Sequence, residues 1–385
     1  MNKYLTGIKD GTRDYIFGEC EQKREISQKL SNLFVKWGYS QIATPTFEYM
    51  DVFNAGDSVK DEDLFKFTDD KNHLLALKAD CTMPIARVAA TKLTDEVLPY
   101  RLYYNQNVFR STSKRPETTQ CGIELIGDCS LKSDTEVLAL SSYAMKEFLG
   151  SNFRIEIGHG KLYKVLIKEY GIDEITAENI RKIVEMKNYA AIESMDIPNE
   201  LKCLPKMFGG VEVLKEYKKI CSKTAVTQIL DYLRQIYDDL SSMGLGSCIS
   251  FDLGLVHRLD YYTGIIFGGY VGGFGSSVLS GGRYDNLADN YGRKLKATGF
   301  GINVDEIFDI MRKKEKYPRN VPHALIYYEN GFSANAYMLA QKMTDEGKIV
   351  IISTADSEDK AFLEAEKRGI KRVIIQTDVC TGYDI

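Results

Sequence analysis

A chain of 385 residues is too long for one ordinary hydrophobic core, and its length predicts two or three domains. With 44% hydrophobic and 27% charged residues it has the composition of a soluble globular protein. A net charge of −4 excludes a bulk basic field for non-specific nucleic-acid binding, although a local basic face is compatible with that average.

The eight cysteines stand at positions 20, 81, 121, 129, 203, 221, 248 and 380, with no C-x-x-C pair, and His73, His159, His257 and His323 are scattered. Neither a zinc site nor a disulfide framework is expected, and free thiols point to a reducing cytosol. Residues 1–30 are too charged for a signal peptide, and no apolar run reaches the ~20 residues needed to span a bilayer. The expectation is a cytoplasmic protein with no metal, no cofactor and no membrane partner.

In chain order, Glu21 to Trp37 carries Ile26, Leu30, Leu33, Phe34 and Trp37 on one stripe of an α-helix, which Gly38 stops. Tyr39 to Asp51 reads as an extended strand interrupted by Pro45. Asp63 to Lys78 reads as a hairpin turning at Asp69-Asp70-Lys71-Asn72. Strands are expected at Val97 to Phe109 and Thr118 to Gly127, and Ser133-x-x-Glu136 has the form of a capping box opening a helix to about Phe148. Strands and helices do not alternate strictly, which predicts an α+β domain on an antiparallel sheet.

From about 160 to 244 the pattern turns helical. Val226, Ile229, Leu230, Leu233, Ile236, Tyr237 and Leu240 fit one helix, a stripe read as core rather than as partner surface. Strands resume at Ser247 to Leu255 and Tyr261 to Tyr270, and the glycines from Gly268 to Gly275 read as a flexible hairpin end. A helix is expected at Asp305 to Lys314 and a linker at Tyr317-Pro318-Arg319-Asn320. Beyond it, residues 321–385 alternate strand and helix as a small α/β domain with a parallel sheet. No Walker loop, H-E-x-x-H or nucleophile elbow is present.

Four segments together resemble the catalytic core of class II histidyl-tRNA synthetases. Gly38-Tyr39-Ser40-Gln41-Ile42-Ala43-Thr44-Pro45-Thr46-Phe47-Glu48 is similar to motif 1, the family's dimer interface. Leu77-Lys78-Ala79-Asp80-Cys81-Thr82 is similar to its R-P-E-G-T string. Val108-Phe109-Arg110 through Gln120-Cys121-Gly122-Ile123-Glu124 is similar to motif 2. Leu259-Asp260-Tyr261-Tyr262-Thr263-Gly264 and Gly281-Gly282-Arg283-Tyr284-Asp285 resemble the two histidine-specific signatures. The resemblance implies a synthetase-like core over 1–318, a helical insertion at about 160–244, and a trimmed anticodon-binding domain at 321–385 without an obvious basic face.

Carried over residue by residue, the resemblance implies that Asp80 and Thr82 bind an α-ammonium and that Gln120 and Glu124 belong to the pocket, with Glu124 facing the imidazole. Tyr262 and Tyr284 would line the ring. Anionic oxygens for an ammonium, and a carboxylate with a phenol for imidazole N–H groups, suit histidine. The ATP side departs from the pattern. Arg110 remains, as a remnant that serves a phosphate, a partner or merely the fold. Thr112 replaces the motif 2 glutamate, His257 stands where an arginine is expected, and Glu306 replaces the motif 3 arginine. Losing one positioned donor costs roughly 2.7–4 kcal/mol of transition-state stabilisation, so three losses argue against adenylate formation and no catalytic residue is assigned.

A histidine pocket without an ATP site resembles the regulatory subunits of short-form ATP phosphoribosyltransferase. That resemblance implies a short catalytic subunit as partner, self-association as a dimer within a hetero-oligomer, and histidine as feedback effector; tRNA is not expected as a partner. A divergent histidyl-tRNA synthetase and a synthetase-like histidine or tRNA sensor are the alternatives. Cys81 and Cys121 are read as small buried residues beside the pocket.

Overall fold

A computed structural model describes residues 3–55, 59–255, 262–312 and 321–385. They form two compact units, one of residues 3–14 and 22–312, the other of residues 15–21 and 321–385. The expectations for residues 256–261, including His257, and for the linker 317–320 lie outside the described residues.

The strands, in chain order, are β1 Ser40–Gln41, β2 Phe47–Tyr49, β3 Lys66–Thr68, β4 Leu74–Leu77, β5 Tyr100–Phe109, β6 Glu117–Ile126, β7 Phe153–His159 and β8 Phe208–Gly209. They continue with β9 Ile249–Asp252, β10 Ile265–Val271, β11 Ser277–Arg283, β12 Ala297–Asn303, β13 Ala324–Tyr328, β14 Val350–Ile352, β15 Arg372–Gln376 and β16 Cys380–Asp384. The first unit is built on a nine-stranded sheet in the order β1-β5-β6-β12-β11-β10-β7-β9-β8. Its pairs are antiparallel except β1 with β5 and β7 with β9. This is the α+β, class II synthetase-like sheet expected from the sequence.

Helix Gly18–Lys36 buries Ile26, Leu30 and Phe34, with Phe34 against Tyr103 and Phe300. Helix Leu131–Leu149 continues that layer, Trp37 meeting Tyr143. The opposite face of β5 and β6 carries a second core. There Tyr100, Leu102, Tyr104 and Ile126 pack with Met83, Ile85, Ala86 and Ala89 of helix Thr82–Thr91. A three-stranded sheet, β2-β4-β3, lies beside it, and its hairpin turns where expected, with Asn72 at φ 61°. Pro45 splits the single strand expected at 39–51 between two sheets, β1 in one and β2 in the other.

The insertion is helical from Gly160 to Ser242, apart from short β8. Its longest helix, Thr224–Ser242, buries Val226, Leu230, Leu233, Ile236 and Leu240. Two local expectations are corrected. The capping box at Ser133 is not one, because the helix starts at Leu131 and Ser133 and Glu136 serve Arg283 and Arg101 instead. Tertiary charge pairing outweighed the local cap. Gly268 and Gly269 belong to β10, where Cβ atoms would crowd Tyr270 and Leu279, while Gly272, Gly273 and Gly275 stand at the β10–β11 hairpin end as expected.

The second unit has a four-stranded sheet, β14-β13-β15-β16. Alternation along β13 sends Ala324 and Ile326 toward helix Ser333–Asp345, and Leu325 and Tyr327 toward helix Glu358–Arg368. The sheet is not wholly parallel: β16 adds antiparallel to β15. All five of its residues are exposed, so this edge strand lacks the alternation that would have announced it.

Candidate functional site

The site forms where β6, β12 and β11 run side by side. Along β6, Cys121 is buried toward Ser31 of the first helix, so the alternate residues Gln120, Gly122 and Glu124 face the other way. Gln120 and Glu124 line a cavity of about 290 Å³. All seven residues singled out from the sequence, Asp80, Thr82, Arg110, Gln120, Glu124, Tyr262 and Tyr284, border it. Tyr104, Phe267 and Ser280 border it too and were missed. The signal for Tyr104 was its register, since it pairs with Gly122 between the two pocket residues of β6.

Glu124 is the centre of the arrangement and is 1% exposed. Thr82 donates its hydroxyl to Oε1 at 2.7 Å, and the Tyr284 hydroxyl donates to Oε2. Burial pushes the Glu124 carboxyl up to about 8; the two hydroxyls pull against that shift and the Asp80 charge adds to it. Asp80 accepts from the Met83 amide at 2.9 Å, at the start of helix Thr82–Thr91. Burial raises its pKa as well, against the pull of the Met83 amide and the Arg110 guanidinium. Two carboxyls deprived of water in one small cavity make a site that favours a cationic ligand.

Glycines make room for these side chains. Gly299 pairs with Glu124 across β12 and β6, and a Cβ there would collide with Oε2 and with the Ile123 carbonyl. At Gly282 a Cβ would lie 2.6 Å from the Tyr262 ring. The string Gly281-Gly282-Arg283-Tyr284-Asp285 thus supplies a wall that Tyr262 covers and a phenol that holds Glu124. Cys81 and Cys121 are both buried, and burial raises both thiols, Cys121 to about 12.

The remaining motif residues are engaged by the protein itself. Arg110 donates from Nε to the Ala79 carbonyl at 3.0 Å. Thr112 bonds the Asp63 carboxylate through its hydroxyl, and the Ser111 amide donates to the Asp63 carbonyl at 2.9 Å. Arg115 pairs with Asp309 at 2.6 Å, and Arg13 reaches the other oxygen of that carboxylate at 3.7 Å. Burial raises the pKa of Glu306, with the nearby Arg115 charge opposing it. Carboxyl groups at 306 and 309 therefore both lie close to Arg115. Asp309 was not foreseen, for a lone acid on a helix carries no signal in sequence.

Among the described residues no helix is long and apolar enough to cross a membrane. Comparison with known proteins agrees with the fold. The histidyl-tRNA synthetase family profile matches residues 11–307. The ATP phosphoribosyltransferase regulatory subunit of Clostridium kluyveri is 37% identical over 96% of this chain and 99% of its own length. A crystal structure from Bacillus halodurans, described as an ATP phosphoribosyltransferase regulatory subunit/histidyl-tRNA synthetase, superposes with a TM-score of 0.86. It is 30% identical over 97% of this chain and 99% of that one. Histidyl-tRNA synthetase from Nostoc, 19% identical, shares the fold with a TM-score of 0.81 over 98% and 97% of the two chains. This chain belongs to the histidyl-tRNA synthetase-like family and, within it, groups with the ATP phosphoribosyltransferase regulatory subunits.

Proposed function

We propose that this chain is a non-catalytic, cytoplasmic regulatory subunit of a short-form ATP phosphoribosyltransferase and that it binds free histidine in the cavity around Glu124. The observation that carries the reading is the buried Glu124 carboxyl group, contacted at both oxygens by the Thr82 and Tyr284 hydroxyls, with a second carboxyl, Asp80, in the same small space. A ligand with an ammonium group and an imidazole N–H suits such a pair. Asp80 and Thr82 would receive the ammonium, Glu124 and Gln120 would meet the polar edges of the ligand, and Tyr262 and Tyr284 would flank the ring.

Support for the absence of catalysis comes from the nucleotide face. Thr112 and Glu306 stand at positions where the synthetase family uses a glutamate and an arginine. Arg13 and Arg115 are committed to Asp309. Phosphoryl chemistry depends on positioned cations, and these two share the Asp309 carboxylate. Self-association through the motif 1 region is part of the reading. Phe47, Tyr49, Phe67 and Leu74 of the small sheet are 51, 55, 40 and 46% exposed, an apolar surface suited to a second copy.

The test is the activity of the short catalytic subunit from the same source, alone, with this chain, and with histidine added. Activation by this chain, reversed by histidine, is the expected outcome. An active partner indifferent to this chain would overturn the reading, and aminoacylation of tRNA would be measured next.

A further inference from the structure

Arg283 lies between two cavity residues in sequence, Gly282 and Tyr284, yet its side chain goes elsewhere. It is 5% exposed, and its guanidinium meets the fully buried Asp134 of helix Leu131–Leu149 at 2.8 Å from Nη2 and 3.0 Å from Nε. The rest of the fork is also used: Nη2 donates to Ser133 Oγ at 2.7 Å, and Nη1 to the Asp128 carbonyl at 3.0 Å and to Asp285 at 3.2 Å. The other oxygen of Asp134 accepts the Tyr232 hydroxyl at 2.6 Å. Tyr232 belongs to Thr224–Ser242, the longest helix of the insertion, and no residue of the insertion lines the cavity.

On the cavity side Arg283 fixes the segment that carries Tyr262. Its carbonyl accepts the Thr263 amide at 2.7 Å, and the Thr263 hydroxyl accepts the Asp285 amide at 2.9 Å. A Cβ at Gly264 would lie 2.8 Å from Arg283 Cδ, so that loop rests on the arginine stem. The backbone carbonyl and stem of Arg283 thus hold the segment next to Tyr262, Tyr284 follows it directly in β11's continuation, and its guanidinium is held by a carboxylate shared with the insertion.

We infer that Arg283 is a positioning residue and that the relay Tyr232–Asp134–Arg283 ties the helical insertion to the tyrosine wall of the cavity. This rests on the proposed ligand-binding reading in one respect, that occupancy of the cavity is what the relay carries. A connected network anchored on a buried ion pair behaves as a unit, so a change at either end is felt at the other. The insertion is by this route the element that senses Tyr262 and Tyr284 without touching the ligand.

The experiment is amide hydrogen exchange on the full chain, comparing wild type with Tyr232→Phe and with Tyr237→Phe. Tyr237 lies on the same helix with its ring against Phe251 and serves as the control. Without ligand, Tyr232→Phe should speed exchange of the Thr263, Tyr284 and Asp285 amides by about tenfold, the size expected for loss of one partner from a coupled network. Tyr237→Phe should not. With histidine, the wild type should gain protection across 224–242, and Tyr232→Phe should lose that gain while keeping protection in β6 and β11. Identical behaviour of the two variants without ligand would overturn the relay. A positive ligand-free result with no response to histidine would leave the relay standing and remove the histidine reading instead.

Discussion

Glu124 and Gly299 face each other across neighbouring strands, and the glutamate carboxylate occupies the space a side chain at 299 would need. The crowding includes the Ile123 carbonyl, which cannot swing away as a side-chain tip can. Gly299→Ala should therefore cost about 1–3 kcal/mol of stability and displace Glu124, weakening histidine binding by at least about tenfold. At Gly301 the nearest atoms to a Cβ are the Tyr104 hydroxyl at 2.8 Å and the Gln120 amide at 3.1 Å, both ends of side chains. Gly301→Ala should be the milder change in both respects. Calorimetric titration and urea unfolding of the two variants check the ranking, and equal effects would contradict it.

The raised pKa of Glu124 fixes the sign of a pH effect. Its carboxyl moves from 4.5 to about 8 on folding, so the folded state holds the proton more tightly than the unfolded chain. The stability this contributes is full below about pH 4.5 and is lost as pH rises through about 8. Glu124→Gln is neutral throughout and should remove the slope. Between pH 5 and 8 the wild type should lose up to roughly 1.4 kcal/mol per pH unit relative to the variant. Urea unfolding at several pH values reads this directly; parallel profiles would show that Glu124 does not titrate as described.

Much of the cavity was legible because its residues sit in strings whose order along the chain is itself informative. Asp80, Glu124 and Tyr284 are far apart in sequence, and only the resemblance of three separate strings brought them together before the fold did. What escaped were features defined by partners across space. Ser133 and Glu136 looked like a capping box because the local spacing is right, but Arg283 and Arg101 claim their side chains. Asp309 gave no warning that it would hold Arg13 and Arg115. Strand β16 escaped for the opposite reason: it buries nothing, so it leaves no pattern.

Asp134 and Arg283 form a buried ion pair at 2.8 Å, closer than any other partner of opposite charge that either has among the described residues. Removing one charge leaves the other desolvated, a loss of about 3–5 kcal/mol. Asp134→Ala should therefore be strongly destabilising, far beyond Tyr232→Phe, which removes a single hydroxyl and leaves the pair intact. Chemical denaturation of both variants checks this, and a destabilisation of Asp134→Ala no larger than that of Tyr232→Phe would contradict it.

The proposed non-catalytic reading expects no histidine-dependent ATP–pyrophosphate exchange from the wild-type chain. Thr112→Glu with Glu306→Arg restores two family residues but leaves His257 where the family has an arginine. The double variant should remain inactive for that reason. Exchange above background in the wild type would reopen the synthetase reading.

The apolar surface of the small sheet gives the last expectation. Phe47 and Phe67 meet edge to face at 5.8 Å on neighbouring parts of that sheet, and both remain exposed, as does Leu74. Burying such a surface against a second copy favours association by about 25 cal/mol per Å² of apolar area. Phe47→Asp with Leu74→Asp places two charges where that surface would close, and desolvating them unpaired opposes association. The wild type should sediment as a dimer at micromolar concentration and the double variant as a monomer with unchanged circular dichroism. A variant that still dimerises would move the interface away from the β2-β4-β3 sheet.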